Sequence, residues 1–159
     1  MVRKLSEQDF DFIYELYMHP DTNPWLMYEK MDKQSFEPIY QDLLNREIIF
    51  VYSEEGNDIG MFKLLPLTYR SSHVAYLGGL AIDPSFAGKG YGFKMMREII
   101  GCARERGFLR IELSASVTNK KAIGLYTKAG FEKEGILRKY TYLKTENKFL
   151  DEVLMSYLI

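Results

Sequence analysis

Asp83-Pro84-Ser85-Phe86-Ala87-Gly88-Lys89-Gly90-Tyr91-Gly92-Phe93-Lys94-Met95-Met96-Arg97 is the stretch whose reading decides the fold. A strand-like run, Ser72 to Ile82, precedes it, and a helical pattern opens directly behind Gly88, Gly90 and Gly92. Glycines at every second residue let backbone N–H groups converge without Cβ obstruction, and a helix N-terminus adds partial positive charge. Together they predict a cradle for an anion, a diphosphate above all. A glycine cluster alone also marks a flexible turn, so the flanking chain has to decide.

Downstream, Gly92, Met96, Ile99, Ile100 and Ala103 form an apolar helical stripe, and Lys94, Arg97, Glu98, Arg104 and Glu105 point away. Gly107 closes that helix. Leu109 to Ala115 alternates as a strand with Leu109, Ile111 and Leu113 on one face. Asn119 to Lys128 reads as a helix stopped at Ala129-Gly130. Phe131 to Arg138 and Lys148 to Leu158 read as strands around a Lys144-Thr145-Glu146-Asn147 turn. Upstream, Val2 to Leu5 suits a first strand, and Ser6 caps a helix that ends before Pro20. An apolar connector (Trp25, Leu26, Met27, Tyr28, Met31) leads to a helix over Gln34 to Leu44 that contains Pro38. Glu47 to Tyr52 and Ile59 to Leu65 form a hairpin. Gly78-Gly79 inside the next strand predicts a bulge or a close ligand approach. Helices alternating with strands in the second half, after hairpins in the first, predict one α/β domain over residues 1–159 with a mixed sheet.

Composition narrows the function. Hydrophobic content of 47% and charged content of 27% suit a globular domain. A net charge of −1 gives no global attraction for nucleic acid. With His19, His73 and Cys102 alone, no metal centre and no disulfide are expected. The polar N-terminus and the lack of a long apolar run predict no membrane segment and a cytoplasmic location. Acids dominate from Glu7 to Glu55, and bases accumulate from Lys89 onward. Solvated helix faces explain this, and so would a cationic substrate met by the first part and an anionic cofactor by the second.

Strand, glycine loop, helix, strand and then Asn119-Lys120-Lys121-Ala122-Ile123-Gly124-Leu125-Tyr126-Thr127-Lys128-Ala129-Gly130-Phe131 resembles the GCN5-related N-acetyltransferase (GNAT) family. The family's pyrophosphate loop, Gln/Arg-x-x-Gly-x-Gly/Ala, falls on Ala87-Gly88-Lys89-Gly90-Tyr91-Gly92. Both register glycines are present, while Ala87 replaces the leading Gln/Arg and so removes a side chain but no backbone donor. The Asn-x-x-Ala-x-x-x-Tyr-x-x-x-Gly-Phe pattern is intact. Arg70-Ser71-Ser72-His73-Val74-Ala75, Arg110-Ile111-Glu112-Leu113 and Glu134 to Tyr140 leading to Asp151-Glu152-Val153-Leu154-Met155 look like bacterial amino-acid N-acetyltransferases of the family. They look somewhat like its ribosomal-protein N-terminal and spermidine acetyltransferase members too.

The resemblance implies a mixed central sheet splayed at an acetyl-CoA site, with helices on both faces. It implies the pantetheine arm against Leu80, Ala81 and Ile82 and the diphosphate on Gly88 to Phe93, with Ala87 at the loop's head. Acetyl transfer needs a neutral amine, donors for the oxyanion and a proton for the departing thiolate. No nucleophile set is evident and Cys102 lies mid-helix, so direct attack is expected. Asn119 and Tyr126, seven apart, share a helix face. The resemblance gives Asn119 a bond to the pantetheine arm and Tyr126 the role of general acid. By residue type alone Asn119 is equally an N-cap and Tyr126 a core aromatic. Glu112 is the candidate base, directly or through water, although a solvent face would look the same. His73 reads as structural. Trp25, Tyr28, Phe36 and Tyr40 either wall an acceptor or belong to the core. The acceptor expected is a small-molecule or peptide amine, an amino acid first, with a polyamine, a protein N-terminus or a non-catalytic acyl-CoA-binding module as alternatives. A homodimer is left open.

Overall fold

A computed structural model describes all of residues 1–159. Seven strands form one sheet: β1 (Val2–Lys4), β2 (Ile49–Glu54), β3 (Asn57–Pro66), β4 (Val74–Ile82), β5 (Arg110–Ser116), β6 (Glu132–Leu143) and β7 (Lys148–Leu158). Their order is β1-β2-β3-β4-β5-β7-β6. Only β4 and β5 run parallel; every other pairing is antiparallel. The helices are α1 (Phe10–Met18), α2 (Lys33–Arg46), α3 (Tyr91–Glu105) and α4 (Lys120–Lys128).

The strands of the hairpin are apolar on both faces because both faces are covered. On β2, Ile49 and Val51 turn to a core built by Ile13, Leu16 and Tyr17 of α1 and Phe36, Tyr40 and Leu43 of α2. Phe50 and Tyr52 turn the other way, to Met95, Met96, Ile99 and Ala103 of α3. Each fully buried methionine or isoleucine of that α3 stripe contributes about 1.5–3 kcal/mol. The expected elements therefore all form. β6 runs on to Leu143, beyond the expected Arg138, and the hairpin turn narrows to Glu55-Gly56. Leu109 is a correction: it precedes β5 and is exposed, because the main chain there is occupied with His73 and Ile159 at the end of the sheet. Pro38 lies inside α2 on its exposed side, where the carbonyl left without an N–H partner meets water. No helix is long and apolar enough to cross a membrane.

The N-terminus is tied down by charge. Arg3 donates to both Asp9 oxygens at 2.8 and 2.7 Å and to Asp58 at 2.6 Å, while the Ser6 backbone and hydroxyl donate to Asp9 at 2.8 Å each. Burial pushes the Asp9 carboxyl up, but the bonds from Arg3 and Ser6 outweigh it and leave the net value below the usual carboxylate range. A depressed folded value means stability that is present above the unfolded carboxylate pKa of about 3.9 and is lost as pH falls through the lower folded value. Asp9→Asn should therefore cost about 2 kcal/mol at pH 7. In urea melts at several pH values, that gap to the parent should close as pH drops below about 4. A gap unchanged at pH 2 would contradict this account.

Candidate active site

β4 and β5 pair only over Val74–Tyr76 with Arg110–Glu112. Beyond that point β4 stays with β3 as far as Ile82, and β5 stays with β7 as far as Ser116. The sheet therefore splits into a V, and the β5-facing edge of β4 from Leu77 to Ile82, including Leu80, Ala81 and Ile82, has no strand partner. The cause lies in β4 itself. Met61 opposes Ala81 and Lys63 opposes Gly78, so β4 carries one extra residue. Gly79 takes it up with φ +55°. A Cβ there would stand 3.1 Å from the Tyr17 hydroxyl and 3.2 Å from Lys63 side-chain carbons, so glycine is required.

At the wide end of the V lies the glycine loop. Gly88 (φ +77°) and Gly90 (φ +82°) are left-handed and alternate with Lys89, which is not. This alternation aims successive N–H groups into one concavity. The N–H groups of Gly88, Lys89, Gly90, Tyr91 and Gly92 find no acceptor within the chain, and no side chain caps α3. Gly92 differs from its neighbours: a Cβ there would meet Leu125 at 3.3 Å, so this glycine lets α3 approach α4. Tyr91 packs edge-on to Phe86, Lys89 lies over Phe86, and Lys128 lies over Phe93. Ala87 is exposed at the head of the loop.

Asn119 is the N-cap of α4, its Oδ1 accepting from the Ala122 N–H at 3.1 Å. Its side-chain amide remains free to donate. Tyr126, two turns along the same helix, is 8% exposed and packs against Phe131. Its hydroxyl has no hydrogen bond within the chain, and burial, followed by the neighbouring Tyr76, pushes its pKa up to about 12. Glu112 sits on the opposite face of β5 from Ile111 and accepts from Arg110 Nε at 2.8 Å; Arg110 also reaches Glu134 at 2.8 Å. The structure thus brings the glycine loop, the open β4 edge and α4 around one cleft. Glu112 lies where the paired part of the V ends, already engaged by Arg110.

Three groups on this face escaped the sequence reading. The Tyr76 hydroxyl and Ser114 Oγ are 2.6 Å apart, Ser114 donates to Glu152, and Thr141 donates to the same carboxylate at 2.5 Å. Ser114 is the first residue on this face of β5 beyond the last β4 pair, so the chain Tyr76–Ser114–Glu152 begins at the cleft. A further omission, Lys63, had a visible signal: it is the lone charge in the run Ile59 to Leu65. Its side chain is 6% exposed, and burial, with Arg46 nearby, lowers its pKa to about 8. Of the connector aromatics, Phe36 and Tyr40 belong to the core, Tyr28 is half-buried and Trp25 is half-exposed. His73 is exposed, and only its carbonyl is used.

Residues 10–131 match the sequence profile of the acetyltransferase (GNAT) family. The chain belongs to that family. It is 26% identical over 140 residues to a ribosomal protein bS18-alanine N-acetyltransferase of Haemophilus ducreyi, covering 88% of each chain. A shorter match, 42% over 88 residues, covers 55% of this chain and 52% of an L-amino acid N-acetyltransferase of Escherichia coli K12. The fold superposes with TM-score 0.85 and 23% identity on the spermidine N-acetyltransferase of Vibrio cholerae in complex with CoA and spermine, covering 99% and 94%. This GNAT protein is therefore an acyltransferase that carries out acetyl-CoA-dependent N-acetylation of an amine. Its own residues fit that donor. Five unpaired N–H groups suit a diphosphate, and a strand edge without a partner suits an arm that carries amides.

Proposed function

We propose that this enzyme acetylates the primary amine of a small amino acid by direct attack, with the donor held in the β4–β5 cleft. The observation that carries the donor side is the run of orphan N–H groups from Gly88 to Gly92 at the mouth of that cleft. The amino-acid acceptor is favoured by the identity shared with the E. coli L-amino acid N-acetyltransferase. The protein N-terminus is the second reading, supported by the longer match to the H. ducreyi enzyme. A cationic acceptor drawn by the acidic first part has less support, since several of those acids are already paired. Asp9, Asp11, Asp42, Glu47 and Glu54 are each engaged by a lysine or arginine of the chain.

When bound, acetyl-CoA supplies an acetyl group activated as a thioester. The loop from Gly88 to Phe93 binds the diphosphate through its backbone and the helix end behind it. Leu80, Ala81 and Ile82 orient the pantetheine arm through main-chain bonds, and Asn119 adds its free side-chain amide. Tyr126 offers an O–H toward the departing sulfur. The acceptor's proton leaves toward a carboxylate on the other face. Glu112 is within reach of that face, but Arg110 holds it; Glu152 is wired to the cleft through Ser114 and Tyr76. Glu152→Gln should accordingly lower kcat/KM about tenfold below pH 8, more than Glu112→Gln does. A larger loss in Glu112→Gln would assign the proton to Glu112 instead.

The acceptor itself is tested by thiol release from acetyl-CoA across a panel of amino acids, spermidine and an alanine-terminated peptide. Turnover of amino acids above the other two is the expected result. Peptide turnover alone would establish the second reading.

A further inference from the structure

We propose that Lys63 and Tyr17 form a seat for the acceptor's carboxylate, behind the β4 bulge; this rests on the amino-acid reading above. Lys63 is an unusual residue to find where it is. It is buried, yet no carboxylate lies within ion-pair distance of its ammonium. Asp42, the acid on the α2 side, is bonded to Arg46 instead. The only hydrogen bond of Lys63 goes to the Tyr28 hydroxyl at 3.2 Å, and the rings of Tyr28 and Tyr17 lie 4.8 and 5.5 Å from it. An ammonium has three donors, so this one is under-used, and a buried cation without a counter-charge is costly. The Tyr17 hydroxyl is fully enclosed and has no hydrogen-bond partner. Buried polar atoms are paired in the great majority of cases, and exceptions mark a group waiting for a ligand or serving function.

Both groups touch the same point. A Cβ on Gly79 would meet the Tyr17 hydroxyl and the Lys63 chain, so an under-used cation and an idle O–H donor converge on the bulge from which β4 parts from β5. Tyr28, half-buried on the connector between α1 and α2, forms the outer side. The chemistry that completes this set is an anion taking one bond from each donor. A free amino acid carries one, two bonds from its amine. A peptide N-terminus presents a neutral amide at that position, and a polyamine presents a second cation, which Lys63 repels.

The test compares L-amino acids with their carboxamides and with spermidine as acceptors for the parent, Lys63→Met and Tyr17→Phe. The parent should favour acids over amides roughly twentyfold in kcat/KM. Lys63→Met should erase that preference by raising KM for the acids, leaving amide turnover and calorimetric acetyl-CoA affinity near parental values. Tyr17→Phe, which removes one oxygen from the same core, should do so in part. If Lys63→Met keeps the preference, or loses acids and amides equally with acetyl-CoA binding intact, the seat is overturned while the amino-acid reading survives. If the parent itself turns over amides or spermidine and no free amino acid, both fall.

Discussion

Tyr126→Phe lowers kcat about 10³-fold and leaves acetyl-CoA affinity within about twofold, because the change removes one hydrogen-bond donor to the developing charge and nothing that grips the donor molecule. The ring stays in the core beside Phe131. The lost hydroxyl has no partner in the free chain, so the melting temperature should hold or rise slightly. Its pKa of about 12 fixes the form of the pH profile. Burial disfavours the phenolate, so Tyr126 remains protonated across the whole neutral range and no alkaline loss of activity below pH 10 belongs to it. Passing its proton outright to a thiolate of ordinary pKa about 8.5 would be uphill by roughly 5 kcal/mol. Tyr126 therefore works as an O–H bonded to the sulfur as charge develops there, and the released thiolate takes its proton from solvent. Stopped-flow thiol release by parent and variant at saturating acceptor measures the effect. Equal rates would remove Tyr126 from the chemistry.

Gly90→Val weakens acetyl-CoA binding about 10²-fold, equivalent to ~2.7 kcal/mol, with little change in folding stability. Nothing in the protein lies within 4 Å of a Cβ at this position, so the side chain meets no neighbour. The cost comes from the backbone. A β-branched residue at φ +82° is strained by about 1–3 kcal/mol, and the loop relieves that strain by rotating its N–H groups out of convergence. Isothermal titration with acetyl-CoA, alongside a thermal melt, separates the two quantities. Parental affinity would detach the glycine loop from the diphosphate.

Much of this architecture could be read from residue order, and the reasons are local. Apolar periodicity marked α3 because Met96, Ile99, Ile100 and Ala103 answer to one buried face. Gly78-Gly79 announced the β4 bulge because a left-handed residue in a strand leaves few alternatives to glycine. Gly92 was read only in part, since its N–H stays with the loop while its missing Cβ also lets Leu125 close in. Leu109 failed for a related reason: alternation continues past the point where the strand begins. The groups that escaped, Tyr76, Ser114, Glu152, Tyr17 and Lys63, meet through pairings between elements far apart in sequence, and no spacing rule brings Lys63 to Tyr28. Polar convergence is a property of register, and register is set by the bulge.

The junction between β4 and β5 has one more implication. Only three residue pairs join the block β1–β4 to the block β5–β7–β6. The sheet is in effect two antiparallel plates sharing a short seam, with α3 packed into a core common to both. Whatever lies in the gap supplies the rungs that the seam lacks, so the ligand finishes the molecule's own sheet, while the shared core beneath keeps the two panels together without it.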